Sequence, residues 1–401
     1  MKFELSDNEN KLLSEAVHSK ATVTDFTHNF YNYPARFSPL FAETVIDIFT
    51  EPGDLVLDPF MGGGTTLVAA RLSGRYGIGT DINELSTFLA KAKTKITLKK
   101  HMREVICWAT DLKDNLNLHN PPIRAKKWID LGYQRNINSR NTWPIRKTLE
   151  FILVDIENLK RDYQRLFARC ALMKTAQWAL DCTTNIPTGS EFRDRFLQNV
   201  IEMANGAMDF SNAVRGSDQK HNYRKGWRTI CLNKSVIGLE QHPLFKSKPA
   251  PRLILTSPPY PGVHVLYHRW QISGRRETPA PYWIANARDS HGESYYTFGG
   301  RHLDKHFKYY DTLKAAYTSL SKIADQDTLL VQLVGFSDPE SQLQKYIETM
   351  EDVGFKEYTF PSLANKSDGR IWRNVPNRKW YAQTKRSVSS SKEVVLFHSL
   401  A

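Results

Sequence analysis

The chain has 401 residues, of which 41% are hydrophobic and 24% charged, an ordinary globular composition with enough apolar residues for a large core. Lys and Arg outnumber Asp and Glu by 55 to 42, giving a net charge of +13, which suits contact with a polyanion without requiring one. Four cysteines without a CxxC pair (Cys107, Cys170, Cys182, Cys231) argue against a zinc site, and the charged N-terminus argues against a secretory leader. No stretch approaches the ~18 apolar residues of a membrane span, so the expectation is a cytoplasmic protein without a metal or a membrane partner.

In chain order, Ser38 to Phe49 has apolar residues at helical spacing and predicts a helix. After the Glu51-Pro52-Gly53-Asp54 turn, Leu55 to Leu57 predicts a strand ending at Asp58. A glycine-rich loop and a helix from Thr65 to Leu72 follow, then a strand from Tyr76 to Thr80 with an acid, Asp81, at its end. This order is the first half of a doubly wound parallel sheet. From Leu112 to Arg228 the pattern turns helical, as in Arg146 to Lys174. Strands return at Trp227 to Leu232, Arg252 to Thr256, Thr328 to Val334, Phe355 to Phe360 and Glu393 to His398, with helices at Tyr309 to Ala324 and Glu340 to Val353. The predicted fold class is α/β, a Rossmann-like, mostly parallel sheet with a largely helical insertion. Residues 1–111 and 229–401 form the α/β domain and residues 112–228 the insertion.

Two motifs stand at strand ends. In Asp58-Pro59-Phe60-Met61-Gly62-Gly63-Gly64-Thr65-Thr66, glycines permit positive φ and close approach of a ligand at a helix N-terminus. A tight strand-to-helix turn alone has the same signature, and the missing GK[ST] ending disfavours a phosphate loop. In Thr256-Ser257-Pro258-Pro259-Tyr260, two prolines fix a turn that leaves the Ser257 hydroxyl and the Pro258 carbonyl as acceptors beside an aromatic face. A plain strand-ending turn fits that segment equally well on its own.

Together, DPFMGGGTT and TSPPY resemble the DNA amino-methyltransferase family, which methylates cytosine N4 or adenine N6. His28 to Phe37 (HNFYNYPARF) and Tyr76 to Asn83 (YGIGTDIN) also match its pattern, so the resemblance covers about residues 25–100 and 228–400. It implies a class I methyltransferase fold, S-adenosylmethionine as cofactor and double-stranded DNA as substrate. Carried over by position, Ser257, Pro258, Pro259 and Tyr260 are the catalytic residues. Asp58, Phe60, Gly62, Gly64, Thr65 and Thr66 shape the methionine pocket; Asp81 binds the ribose, and Ile82 lies against the adenine. Phe30 and Tyr33 help enclose the cofactor. Asn233 stands where the family often has an acid for the adenine amino group, with Asp111 as a weaker rival. Serine at the head of the tetrapeptide implies cytosine N4 as the target, with adenine N6 the alternative.

Three segments offer DNA contacts: the helical stretch 112–228, which suits target recognition or a scaffold role, and two basic stretches. Pro261 to Lys305 carries Arg269, Arg275 and Arg276 among aromatic residues, and reads as a clamp or as a lid over the cofactor. Ser362 to Lys392 carries Arg370, Arg373, Arg378 and Lys379 among eight basic residues against one acid. The resemblance further implies a restriction or defence partner in a prokaryote or phage. Two other readings share the motifs: an RNA base methyltransferase, and a silent DNA-binding subunit that keeps the fold. The absence of an obvious appended RNA-binding module weighs against the first, and the intact motifs against the second.

Overall fold

A computed structural model of the chain describes residues 3–21, 24–33, 38–116, 126–183, 185–221, 229–247, 249–261, 269–272, 274, 276–289, 298, 306–336, 338–364, 368–374 and 392–401. Its strands are β1 Leu55–Asp58, β2 Tyr76–Asp81, β3 Thr229–Asn233, β4 Leu253–Thr256, β5 Trp270–Ile272, β6 Arg276–Thr278, β7 Leu329–Phe336, β8 Phe355–Glu357, β9 Ile371–Asn374 and β10 Lys392–Leu400. Among the described residues one sheet runs in the order β3-β2-β1-β4-β7-β10-β8, while β9 also pairs with β10 and β5-β6 form a separate hairpin. Strands β3, β2, β1, β4 and β7 are mutually parallel, and β10 runs antiparallel to its neighbours. This is a Rossmann-like, mostly parallel sheet, as the sequence predicts.

The central strands are buried on both faces and read as unbroken apolar runs, as in Leu329–Phe336. On one face Val56, Leu253, Leu255, Val331 and Phe397 pack against helices Asp7–His18 and Pro39–Phe49. On the other, Leu57, Ile254, Leu330, Val334 and Leu396 meet helices His306–Ser321 and Pro339–Glu351. Burying apolar surface on both faces drives this three-layer arrangement.

The stretch 112–228 is helical where it is described, and the helical pattern over Arg146 to Lys174 falls on two helices, Trp143–Asp155 and Asp162–Leu180, joined by a 3-10 turn and a short link. With helix Gly189–His221 they share one apolar core with helices Glu84–Thr94 and Lys99–Asn115 and with Trp270, Tyr282 and Trp283. The strand expected over Phe355 to Phe360 ends at Glu357. Helix Asp7–His18, the β5-β6 hairpin and β9 lie outside the sequence expectations.

Candidate active site

Strand order reverses between β1 and β4, and in open α/β sheets ligands bind beyond the carboxyl ends of the strands at such a point. Asp58, Asp81, Asn233 and Thr256 end β1, β2, β3 and β4, so both motifs emerge side by side at one edge. Asp58 ties them together. Its carboxylate accepts Thr66 Oγ1 at 2.6 Å, Thr256 Oγ1 at 2.8 Å and the Phe60 amide at 3.2 Å. The group is 2% exposed, and burial pushes its carboxyl up to about 6 despite these donors. Asp58 therefore acts as the brace between the glycine loop and the Ser257-Pro258-Pro259-Tyr260 turn.

The glycine loop takes the backbone its sequence permits. Gly62 and Gly64 have φ of +44° and +77°, and Gly64 caps helix Thr65–Leu72 in the left-handed conformation. Tyr33 lies over the loop, so a Cβ added at Gly62 or Gly63 would meet its ring at 3.0 Å. The Tyr33 hydroxyl pairs with Ser86 Oγ at 2.9 Å. Phe30 is buried edge-to-face on Phe167 at 5.9 Å, so it holds this segment against the helical core. Phe60 meets Phe298 edge-to-face at 5.5 Å.

Asp81 accepts the Gly62 amide at 3.0 Å and the Asn83 amide at 2.8 Å, and burial pushes its carboxyl up to about 6. A carboxylate has about four acceptor positions, so these two bonds leave capacity for hydroxyl donors. Ile82 beside it is 49% exposed, an apolar surface at the rim. Asn233 donates its Nδ2 to the carbonyls of Asp81 and Ile82 at 3.0 and 3.1 Å. Those partners assign the amide orientation and leave Oδ1 as the remaining acceptor. An acid, an apolar face and an outward amide oxygen fit the ribose, ring and amino group of an adenosine. Asp111, the rival for the last contact, sits exposed on helix Lys99–Asn115 rather than at a strand end.

The turn from Ser257 to Tyr260 is held by residues remote in sequence. Tyr309 donates its hydroxyl to the Pro259 carbonyl at 2.8 Å. The Tyr260 ring lies over Gly335 of β7, where an added Cβ would come within 2.6 Å of it. Ser257 Oγ donates to the Tyr260 hydroxyl at 3.1 Å, and that hydroxyl donates to Glu393 Oε1 at 2.9 Å. Tyr309, Gly335 and Glu393 escaped the sequence reading. The one available signal was Glu393 itself, a charge opening the apolar run of β10.

The basic residues divide. Arg276 is exposed on β6. Arg269 binds the buried Asp289 at 2.7 Å and Glu277 at 3.5 Å. Arg370 binds Glu357 at 2.6 Å and Asp368 at 3.4 Å, and Arg373 binds Glu393 at 2.6 Å. These three guanidiniums are thus anchored on carboxylates of the protein itself. Of the aromatic residues in the stretch Pro261 to Lys305, Trp270, Tyr282 and Trp283 are core residues at 3% exposure or less. Arg275, Arg378 and Lys379 lie outside the described residues.

Residues 6–92 match a protein family described as DNA methylase, a span that includes the glycine loop and Asp81 and ends before the catalytic turn. The Type II methyltransferase M.MvaI of Kocuria varians is 40% identical over 260 residues, 59% of this chain and 53% of that protein. M.MjaII of Methanocaldococcus jannaschii, also a Type II methyltransferase, is 26% identical over 168 residues, 38% of this chain and 31% of that protein. The chain thus spans about half or less of the length of these relatives. The structure of the rRNA methyltransferase aviRa from Streptomyces viridochromogenes superposes with a TM-score of 0.35 at 10% identity over 92% of this chain and 88% of that one, too low to bear on the reading. Over part of its length the chain is therefore similar to DNA methylases and to Type II methyltransferases, in keeping with the DNA amino-methyltransferase family that its two motifs resemble.

Proposed function

We propose that the protein transfers a methyl group from S-adenosylmethionine to an exocyclic amino group of a base in double-stranded DNA, with cytosine N4 the favoured target. The observation that carries this reading is the shared brace. Asp58 bonds both the glycine-loop helix and the residue before Ser257, so the cofactor loop and the acceptor turn meet at the switch point.

Asp81, Ile82 and Asn233 would hold the nucleoside end of the cofactor, and Gly62 to Thr66 the methionine end. The cofactor supplies a methyl already activated on a sulfonium, so the chain's own residues have to align a nucleophile. A base amino nitrogen is a weak one, because its lone pair is delocalised into the ring. Ser257 Oγ and the Pro258 carbonyl would accept its two hydrogens, favouring a pyramidal nitrogen with an available lone pair. Alignment then supplies the remaining gain. A base within a duplex cannot reach this turn and has to be flipped out, with the outer face of Tyr260 as its stacking surface.

For DNA contact, Arg276 offers an exposed cation on the hairpin that follows the catalytic turn. Arg275, Arg378 and Lys379 extend the proposal by sequence. Arg269, Arg370 and Arg373 belong to the same basic stretches but are tied to internal carboxylates, so they shape those segments first. The helical stretch 112–228 is assigned to target recognition or to a scaffold that positions it. The names of the relatives suggest a modification role beside a restriction enzyme, and a gene without a nuclease neighbour would count against that setting.

The test is nucleoside mass spectrometry of DNA treated with the purified protein and S-adenosylmethionine. N4-methylcytosine is the expected product. N6-methyladenine would keep the mechanism and correct the base. Methylation of RNA but of no duplex DNA would overturn the substrate.

A further inference from the structure

We propose that Glu393, held by Arg373, is a positioning residue that sets the direction of the hydrogen bonds in the catalytic turn and thereby commits Ser257 to accept from the substrate. The inference rests on the function proposed above and deepens it.

The sheet register places the parts. Glu393 on β10 is opposite Gly335 of β7 on one side and Arg373 of β9 on the other. Gly335 leaves room for the Tyr260 ring, and the ring carries its hydroxyl to Glu393. Arg373 Nε donates to Glu393 Oε2 at 2.6 Å, with the two side chains only 8% and 7% exposed. A second Arg373 nitrogen donates to the Val17 carbonyl at 3.1 Å, which anchors the guanidinium on helix Asp7–His18. The chain of bonds runs from Ser257 to Tyr260 to Glu393, with Arg373 bonding the carboxylate from the far side.

Direction matters because two of the links are hydroxyls, each able to donate or accept. A Ser–Tyr pair alone has two arrangements, and in one of them Ser257 points its proton at the substrate. An ionised carboxylate accepts only. Glu393, paired with a guanidinium, therefore accepts a hydrogen bond from the Tyr260 hydroxyl. Tyr260 then accepts from Ser257, and the Ser257 lone pairs are left facing outward. A base amino group presents donors to that oxygen, whereas the carbonyl at the same ring position of thymine presents an acceptor. The remote ion pair thus favours amino-bearing bases over that alternative.

The test is steady-state methyl transfer by the full-length protein and three variants: Tyr260→Phe, Glu393→Ala/Arg373→Met, and all three changes together. The paired change avoids leaving a buried cation without its anion. Tyr260→Phe and the paired change are each expected to lower kcat about tenfold, the scale of one oriented hydrogen bond. KM for DNA and for S-adenosylmethionine should hold, since Tyr260→Phe keeps the stacking ring, and Glu393 and Arg373 bond to the Tyr260 hydroxyl, to each other and to the Val17 carbonyl. The triple variant should be no slower than Tyr260→Phe, because the hydroxyl through which Glu393 acts is already gone. Multiplied losses in the triple variant, or wild-type kcat in Tyr260→Phe, would overturn the positioning role while the enzyme reading stands. If the paired variant does not fold, Tyr260→Phe decides alone, since it removes one oxygen and keeps the ring against Gly335. A wild-type protein that methylates no nucleic acid would defeat the function and this inference with it.

Discussion

The two halves of the site are built in different ways. The proposed cofactor half is mostly local: its loop, helix start and acid fall between Asp58 and Asn83, with backbones set by glycines and by bonds within that span, and Tyr33 and Asn233 reach it from outside. The proposed catalytic half is assembled from afar. Its five-residue turn is held by Tyr309, Gly335, Arg373 and Glu393, which reach it from one helix and three strands. A local site tolerates change elsewhere in the chain. A remote one makes distant residues as important as the motif.

The sharpest way to break this contrast is inside the turn. Ser257→Ala and Tyr260→Ala should each lower kcat by about 100-fold or more, because misplacing reacting groups costs on that order. Isothermal titration should find S-adenosylmethionine binding nearly unchanged in both. Loss of cofactor binding instead would mean that the halves are not separable.

Nearly as large an effect is expected at Gly335, which lies 75 residues beyond Tyr260. Gly335→Ala should displace the Tyr260 ring and cut kcat by about 100-fold while the protein stays folded. Full activity in that variant would show that the ring is free to move and that the half is less remote than the contacts imply.

Asp58 tests the brace. Asp58→Ala strands two buried hydroxyls and should lower unfolding stability by about 2–3 kcal/mol, read from urea melts. Acidity acts on it in a definite direction. Its folded-state carboxyl titrates near 6, above the ordinary 3.8, so the folded protein takes up this proton more readily than the unfolded chain. Its contribution to stability therefore grows as pH falls through that window, by at most about 1.4 kcal/mol per pH unit. Removing Asp58 should take away its share of that slope and leave the share of Asp81.

The same shift at Asp81 has the opposite sign for binding. An ionised carboxylate accepts from ribose hydroxyls more strongly than a neutral acid, so S-adenosylmethionine affinity should fall by up to about tenfold per pH unit below 6 in titrations across that range. Asp81→Asn should flatten the profile. The smallest effect belongs to Ile82, where Ile82→Ala should weaken cofactor binding about threefold to tenfold by removing apolar contact. An unchanged Kd there would place the adenine elsewhere on the rim.

The local half was legible because its chemistry is written in neighbouring residues. Helix Thr65–Leu72 and strands β1 and β2 occur where periodicity and the glycines put them. Helix Asp7–His18 was missed although Ser6 and Glu9 form a capping box, a signal readable in the sequence. The basic residues were harder. Arg269, Arg370 and Arg373 looked like phosphate contacts in a one-dimensional count of charge, but their carboxylate partners lie up to 20 residues away and meet them only through strand pairing and loop closure.

The amino-acid sequence alone determined the strand-loop-helix order, the paired motifs and the family likeness, because each depends on residues within a few positions of one another. Tertiary structure decided which residues support the catalytic turn and which charges are already neutralised. Those outcomes follow from sheet register, where β7, β9 and β10 bring Gly335, Arg373 and Glu393 into line. Register is set by burial of the whole sheet, and no local pattern in the chain records it.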